Sequence, residues 1–213
     1  MTSPHPLDCP AWSALNERQS GFALAHGGAR RYDPAYGVFA AVGDRSAASL
    51  AGLGALGAEH GDVALLEVSP PTDAPGVTVA SQDLGVQMVA TRLTAGPAPD
   101  FEIIPLGDAD APEMLALATL TRPGPFFDRT HQLGDFLGVR IEGQLVAMAG
   151  ERMKPLGFTE VSGVCTHPDH RGRGYAGALM RLVAARILDH GETPFLHAYA
   201  SNRGAIALYE TRG

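Results

Sequence analysis

Apolar positions change period several times along this 213-residue chain, and each change marks an element. In the first half, Pro10-Ala11-Trp12-Ser13-Ala14-Leu15 opens a helix and Val38–Val42 is a short apolar run of strand length. Ser46 to Leu56 carries apolar residues at helical spacing. Val63–Val68 reads as strand again, ended by Pro70-Pro71. Leu84, Val86, Met88 and Val89 stand out in the stretch from Gln82 to Leu93, whose period favours neither element. The first half is therefore mixed α/β.

Gly96-Pro97-Ala98-Pro99-Asp100 reads as a linker, because its two prolines deny donors and restrict their neighbours. This divides the chain into residues 1–96, a linker at 97–100, and 101–213. Beyond the linker, Phe101–Ile104 reads as strand. Asp110-Ala111-Pro112-Glu113 starts a helix, with a capping side chain and an acid three residues on, that runs to about Thr121. Arg122-Pro123-Gly124-Pro125 stops it and opens a loop holding Phe126 and Phe127. Strands at 136–141 and 144–153 flank Glu142-Gly143, a tight hairpin signal. A further strand at 158–166 enters a Gly-rich turn. In the helix that follows, Ala176, Leu179, Met180, Val183 and Ile187 share one face, and Gly191 is placed to end it.

Composition narrows the functions. A hydrophobic fraction of 45% suffices for one sizeable core or two small ones. A formal net charge of -7 repels polyphosphate at long range, so a broad nucleic-acid surface is not expected. Any phosphate must be held locally, by backbone amides and a few placed cations. Cys9 and Cys165 are too few for a disulfide framework, and neither a signal peptide nor a membrane-spanning run stands out, so a cytoplasmic protein is expected.

The chemistry concentrates in Val164-Cys165-Thr166-His167-Pro168-Asp169-His170-Arg171-Gly172-Arg173-Gly174-Tyr175-Ala176-Gly177. A strand, a Gly-rich turn and a helix N-terminus together make an anion site, since the first helical N–H groups lack internal partners and the helix dipole favours negative charge. Arg171 and Arg173 add local positive charge. Neither a dinucleotide fingerprint nor a Walker loop fits these residues. His167 and His170 lack a third clustered ligand, so no metal is expected. Cys165, inside an apolar strand, reads as packing rather than a nucleophile.

Arg171-Gly172-Arg173-Gly174-Tyr175-Ala176 matches the [Gln/Arg]-x-x-Gly-x-[Gly/Ala] signature of the GNAT superfamily of N-acetyltransferases, and Val164 to Pro168 resembles that family's strand exit. After a strand at 195–200, Asn202-Arg203-Gly204-Ala205-Ile206-Ala207-Leu208-Tyr209 is similar to its second motif, Asn-x-x-Ala-x-x-x-Tyr. The run Phe158-Thr159-Glu160-Val161-Ser162-Gly163-Val164 resembles the branch called predicted or FR-type acetyltransferases. The resemblance covers residues 101–213.

It implies the GNAT acyl-CoA N-acyltransferase fold, an α/β architecture on a mixed sheet, with the first half a candidate degenerate copy. Acetyl-CoA is the implied cosubstrate, lying between splayed strands 158–166 and 195–200. The amides of Val164, Cys165 and Thr166 would meet its pantetheine arm and those of Gly172 to Gly177 its pyrophosphate, while Asn202 and Ala205 line its path. Tyr209 is the implied acid for the leaving thiolate. Glu160 is the expected base, with a water chain as its alternative and a solvated strand position or a salt bridge as its structural reading. Phe126 and Phe127 are candidates for the acceptor pocket. The acceptor is a small-molecule or peptide amine, with no nucleic acid or membrane partner, and a homodimer is compatible. An acyl-CoA-binding sensor without turnover is the competing function. The family domain continues as strand past the tyrosine helix, so either the domain is cut short or another segment completes the sheet.

Overall fold

The computed structural model describes residues 5–68, 73–96 and 98–210, the side chains of residues 205 and 208–210 excepted. The chain forms two compact units, Met1–Gln82 with Met153–Leu156, and Asp83–Arg152 with Gly157–Gly213.

The first unit contains α1 (Pro10–Asn16), β1 (Ala23–His26), β2 (Ala29–Tyr32), β3 (Phe39–Val42), α2 (Ala47–His60) and β4 (Ala64–Leu65). Its sheet runs β1-β2-β3-β4: the first three strands are antiparallel neighbours and β4 is parallel to β3. α2 buries Leu50, Leu53 and Leu56 against Ala29 and Ala40. It runs one turn past the expected end at Leu56, to Gly61 at φ 83°. The buried Arg31 guanidinium donates to the carbonyls of Gly61 (2.9 Å) and Leu56 (3.5 Å), satisfying groups that a helix end leaves open. The strand expected at 63–68 shortens to two residues. Pro70 and Pro71, its expected stop, lie outside the described residues.

The second unit holds β5 (Gly85–Val89), β6 (Ile104–Leu106), α3 (Ala111–Thr121), β7 (Phe136–Ile141), β8 (Gln144–Glu151), β9 (Phe158–Thr166), α4 (Tyr175–Asp189), β10 (Thr193–Tyr199) and α5 (Arg203–Glu210). The sheet order is β5-β10-β9-β8-β7-β6, with β9 and β10 parallel and every other pair antiparallel. α4 lays Leu179, Met180, Val183 and Ile187, all nearly inaccessible, onto Leu137, Val139, Ala147, Ala149 and Val161. Burial on this scale contributes about 1.5–3 kcal/mol per large side chain. On the opposite face α3 packs Met114, Leu117 and Ala118 with Phe136, Met148 and Cys165. Glu142 and Gly143 both take positive φ (51° and 85°), as a two-residue hairpin turn requires.

Three expectations need correction. The unit boundary falls at Gln82/Asp83 rather than at 97–100, because Gly85–Val89 pairs residue for residue with β10. That segment is the outer neighbour of β10 in the sheet. The strand placed at 101–104 begins at Ile104, since the Phe101 ring turns edge-on to Tyr175, 4.7 Å between centroids. Asp110 does not cap α3. Its carboxylate accepts from the Gly107 N–H (2.9 Å) and from Arg140 (2.6 Å).

The units share one connectivity. α1–β1–β2–β3–α2–β4 repeats as α3–β7–β8–β9–α4–β10, a helix, an antiparallel meander, a crossover helix and a strand parallel to the last.

Candidate active site

β9 and β10 pair through only three positions, Phe158↔Thr193, Thr159↔Pro194 and Glu160↔Phe195. Beyond Glu160, β9 keeps its register with β8 alone and β10 with β5 alone, so the two parallel strands separate into a V. The cause lies in β9. Gly150 faces Ser162 and Met148 faces Cys165, which leaves Gly163 and Val164 together opposite Ala149. Such an extra residue bends its strand and increases the local twist. Gly163 sits at φ +64°, and a Cβ there would come within 2.9 Å of the Phe136 ring, so glycine alone fits. Among the described residues, Val161 to Thr166, including the three expected to meet a pantetheine arm, thus have no register partner on β10.

β9 then passes through a short 3₁₀ turn, Pro168–His170, into Arg171–Gly174 and α4. Gly174 occupies the N-cap position at φ 80°, ψ 0°, and no side chain caps it. A Cβ on Gly172 or Gly174 would meet nothing within 4 Å, so the approach to the first helical amides is open. Arg171 and Arg173 flank it, both exposed. The matching helix start in the first unit differs. There the Asp44 carboxylate accepts from the Ser46 N–H (3.0 Å) and the Ser49 hydroxyl (2.6 Å), and Ser46 Oγ accepts from the Ser49 N–H. Hydrogen bonds from Ser46 and Ser49 hold Asp44 down at about 2, so α2 already carries an anion of its own. Only the second of these two helices offers its N-terminus to an external phosphate.

Tyr175, expected to touch the cosubstrate, is a core residue, 6% exposed and stacked edge-on with Phe101. Its side chain anchors the turn, and only its backbone can contribute to the anion site. Gly177 and Ala178 are buried behind it.

Glu160 is fully buried. Arg152 grips it with a two-pronged contact, Nε to Oε2 at 2.9 Å and Nη2 to Oε1 at 2.7 Å, and His197 Nδ1 lies 2.8 Å from Oε1. Burial alone would push this carboxyl up. The Arg152 charge and the hydrogen bonds from His197 and Arg152 outweigh burial and hold it down at about 2. A carboxylate this stabilised has little affinity for a substrate proton, so the expectation of Glu160 as base is corrected toward the salt bridge. Strand alternation puts Val161 on the α4 side and Glu160 on the other, where its cross-strand neighbour Phe195 and then His197 stand.

Cys165 is 7% exposed, within the α3 cluster, and burial raises its thiol to about 11. A neutral thiol is a poor nucleophile. Cys165→Ala should therefore keep activity within about twofold, measured as thiol release from acetyl-CoA. Phe126 packs on the α3 cluster, edge-on to Phe136 at 5.7 Å, beside the Gly163 bulge. The Phe127 N–H donates to Thr130 Oγ1 (2.8 Å), which anchors the loop. On α5, the Ile206 N–H donates to the Asn202 carbonyl at 3.1 Å, which sets Asn202 immediately before the helix. The side chains of Ala205 and Tyr209 lie outside the described residues. Among the described residues no group of three His, Cys, Asp or Glu could hold a metal ion, and no helix is long and apolar enough to cross a membrane.

Sequence reasoning missed Arg152, His197, Gln87 and the Gly163 bulge. Glu160 and His197 stand 37 residues apart, and nothing in the spacing joins them.

A family model described as FR47-like protein matches residues 136–213. The solved structure of an acetyltransferase from the GNAT family of Novosphingobium aromaticivorans is 47% identical, covering 98% of this chain and 92% of its own, with a TM-score of 0.85. A GCN5-related N-acetyltransferase from Kribbella flavida (16% identity, 88% and 85% covered, TM-score 0.54) shares the fold. So does a GNAT-family acetyltransferase from Colwellia psychrerythraea (15%, 61% and 51%, 0.50). No curated protein matches. A splayed parallel strand pair beside an uncapped helix start, in a chain this similar to a solved member, defines an acyltransferase. The chain belongs to the GNAT family.

Proposed function

We propose that the protein transfers the acetyl group of acetyl-CoA to a primary amine by direct attack. The observation that carries this reading is the open N-terminus of α4, set at the end of the strand that splays from β10. The diphosphate would lie on the amides from Gly172 to Gly177, with Arg171 and Arg173 as counter-charges. The pantetheine arm would run along β9 like an added strand, pairing with Val164 to Thr166. One of those amides would donate to the thioester oxygen as charge develops there. Asn202 and Ala205 would border the arm on α5. The amine lone pair forms the new C–N bond as C–S breaks, and Tyr209 gives its proton to the departing sulfur. The phenolate regains a proton from the nitrogen. Phe126, beside the bulge, would bound the acceptor, and a chain of net charge -7 mildly favours a cationic amine. The first unit, with Asp44 on its helix start, would be a copy that takes no acyl-CoA.

The deciding experiment incubates the protein with acetyl-CoA and a broad panel of small and peptide amines, following free thiol and N-acetyl product. Stoichiometric appearance of both supports the reading. Tight acetyl-CoA binding with no thiol above background across the panel would establish the sensor instead.

Gly174→Val probes the diphosphate grip. A β-branched residue at φ 80° is strained by about 1–2 kcal/mol, and its methyl groups enter the phosphate's approach. Losing one or two charge-assisted contacts raises the acetyl-CoA Kd by roughly 10- to 100-fold. The variant's Kd by titration and its amine KM check this: the first should rise and the second stay.

A further inference from the structure

The Glu160–His197 pair has a direction. The Glu160 carboxylate is ionised and accepts only, so the hydrogen between Oε1 and Nδ1, 2.8 Å apart, belongs to His197. A neutral imidazole with Nδ1–H carries its lone pair on Nε2. That atom lies 2.9 Å from Nε2 of Gln87, the cross-strand neighbour of His197 on β5, so the amide donates to the lone pair. Behind Glu160 stands Arg152, which keeps the carboxylate ionised. Phe195 meets the imidazole edge-on at 5.5 Å. Among the described residues, the groups facing the ring include a carboxylate from β9, its arginine from the end of β8, a neutral amide from β5 and an aromatic ring from β10 itself. His197 lies two residues past the last β9–β10 pair, on the side of the sheet away from α4 and within the stretch where the strands separate. Its side chain is 13% exposed, and Gln87 over it is exposed.

We propose that His197, held in its Nδ1–H tautomer by Glu160, is the base that takes the proton from the acceptor's ammonium group at Nε2. The inference rests on the acetyltransferase reading above and supplies the base which that reading lacks. An N–H bond of the ammonium breaks and an Nε2–H bond forms, leaving the amine its lone pair. The Gln87 side chain yields its place at Nε2 to the ammonium. Glu160 stabilises the resulting imidazolium without taking up the proton, and solvent removes the Nε2 proton after turnover. Glu160 and Arg152 are positioning residues in this scheme, and His197 is the group that meets the substrate.

His197→Asn is the informative change, because its amide nitrogen can replace Nδ1 as donor to Glu160 and keep the buried cluster satisfied. In the wild type, kcat/KM for the amine should rise with pH through a single ionisation. In His197→Asn that limb should vanish and kcat/KM near pH 7 fall by about 100-fold, recovering as the pH nears that of the free amine. Acetyl-CoA affinity should be unchanged. Should the variant not fold, the wild type decides through its ¹⁵N–¹H imidazole spectrum and the pH profile. An Nδ1–H ring hydrogen-bonded to a carboxylate, together with that rising limb, supports the proposal. An Nε2–H tautomer, or a rate without that limb, overturns it. A folded His197→Asn protein with the wild-type profile overturns it as well, while leaving the acetyltransferase reading intact. That reading fails separately, if the wild type releases no thiol with any amine.

Discussion

Glu160→Gln is expected to cost about 3–5 kcal/mol of stability, the range for breaking a buried ion pair by removing one partner. The variant keeps the shape and loses the charge. Arg152, with about a tenth of its side chain exposed, retains its proton at any accessible pH and is left facing a neutral amide. His197 loses its ionised acceptor in the same step. Replacing both Glu160 and Arg152 by apolar residues should recover much of the loss, since two desolvation penalties disappear together. Urea midpoints for the three proteins make the comparison, and a Glu160→Gln midpoint equal to the wild type would refute the buried pair. The pH dependence has a definite sign. Glu160 titrates near 4.3 when unfolded and at about 2 when folded, so its contribution is complete above the unfolded value. It is lost as the pH falls toward 2. The variant should lack that part of the acid sensitivity.

Tyr209→Phe should lower kcat by roughly 10²- to 10⁴-fold, the usual contribution of a positioned general acid, with little change in the acetyl-CoA Kd. A thiol has a pKa near 8.5 and a phenol near 10, so passing the proton to the departing sulfur costs about 1.5 units, or ~2 kcal/mol, which is modest beside the cost of expelling a bare thiolate. Without the hydroxyl, the thiolate must leave as an anion or wait for water. The backbone of α5 is helical from Arg203 to Glu210, so Ala205 and Tyr209 stand one turn apart. Single-turnover kinetics separate the outcomes. A slowed acetyl-transfer step identifies the acid, whereas an unchanged step with slower product release would assign Tyr209 to binding.

Where the pattern was strong and local, the fold was legible. α4 could be read because Leu179, Met180, Val183 and Ile187 repeat at helical spacing and Gly191 follows. β9 could be read because an apolar run of strand length ends in a Gly-rich turn. The β1–β2 hairpin escaped notice because Ala-Leu-Ala-His and Ala-Arg-Arg-Tyr do not alternate, leaving Gly27-Gly28 as a lone turn signal. β5 escaped because its pattern gains meaning only beside β10, more than a hundred residues later. The capping role given to Asp110 failed for a related reason, since Arg140 arrives from a distant strand and competes for the carboxylate.

The sequence by itself determined the local chemistry: a Gly-rich turn between strand and helix, glycines able to take positive φ, arginines on an acidic chain, and asparagine, alanine and tyrosine spaced for one helix. Each depends on neighbours a few residues away, where spacing and geometry coincide. The tertiary structure alone decided the bulge that opens the expected V between β9 and β10, the outer place of β5, and the burial that turns Glu160 from a plausible base into a fixed anion beside His197. Those depend on strand pairing, on one bulge at Gly163, and on charges brought together from separate elements. Such contacts draw their energy from burial, and burial exists only once the sheet has formed.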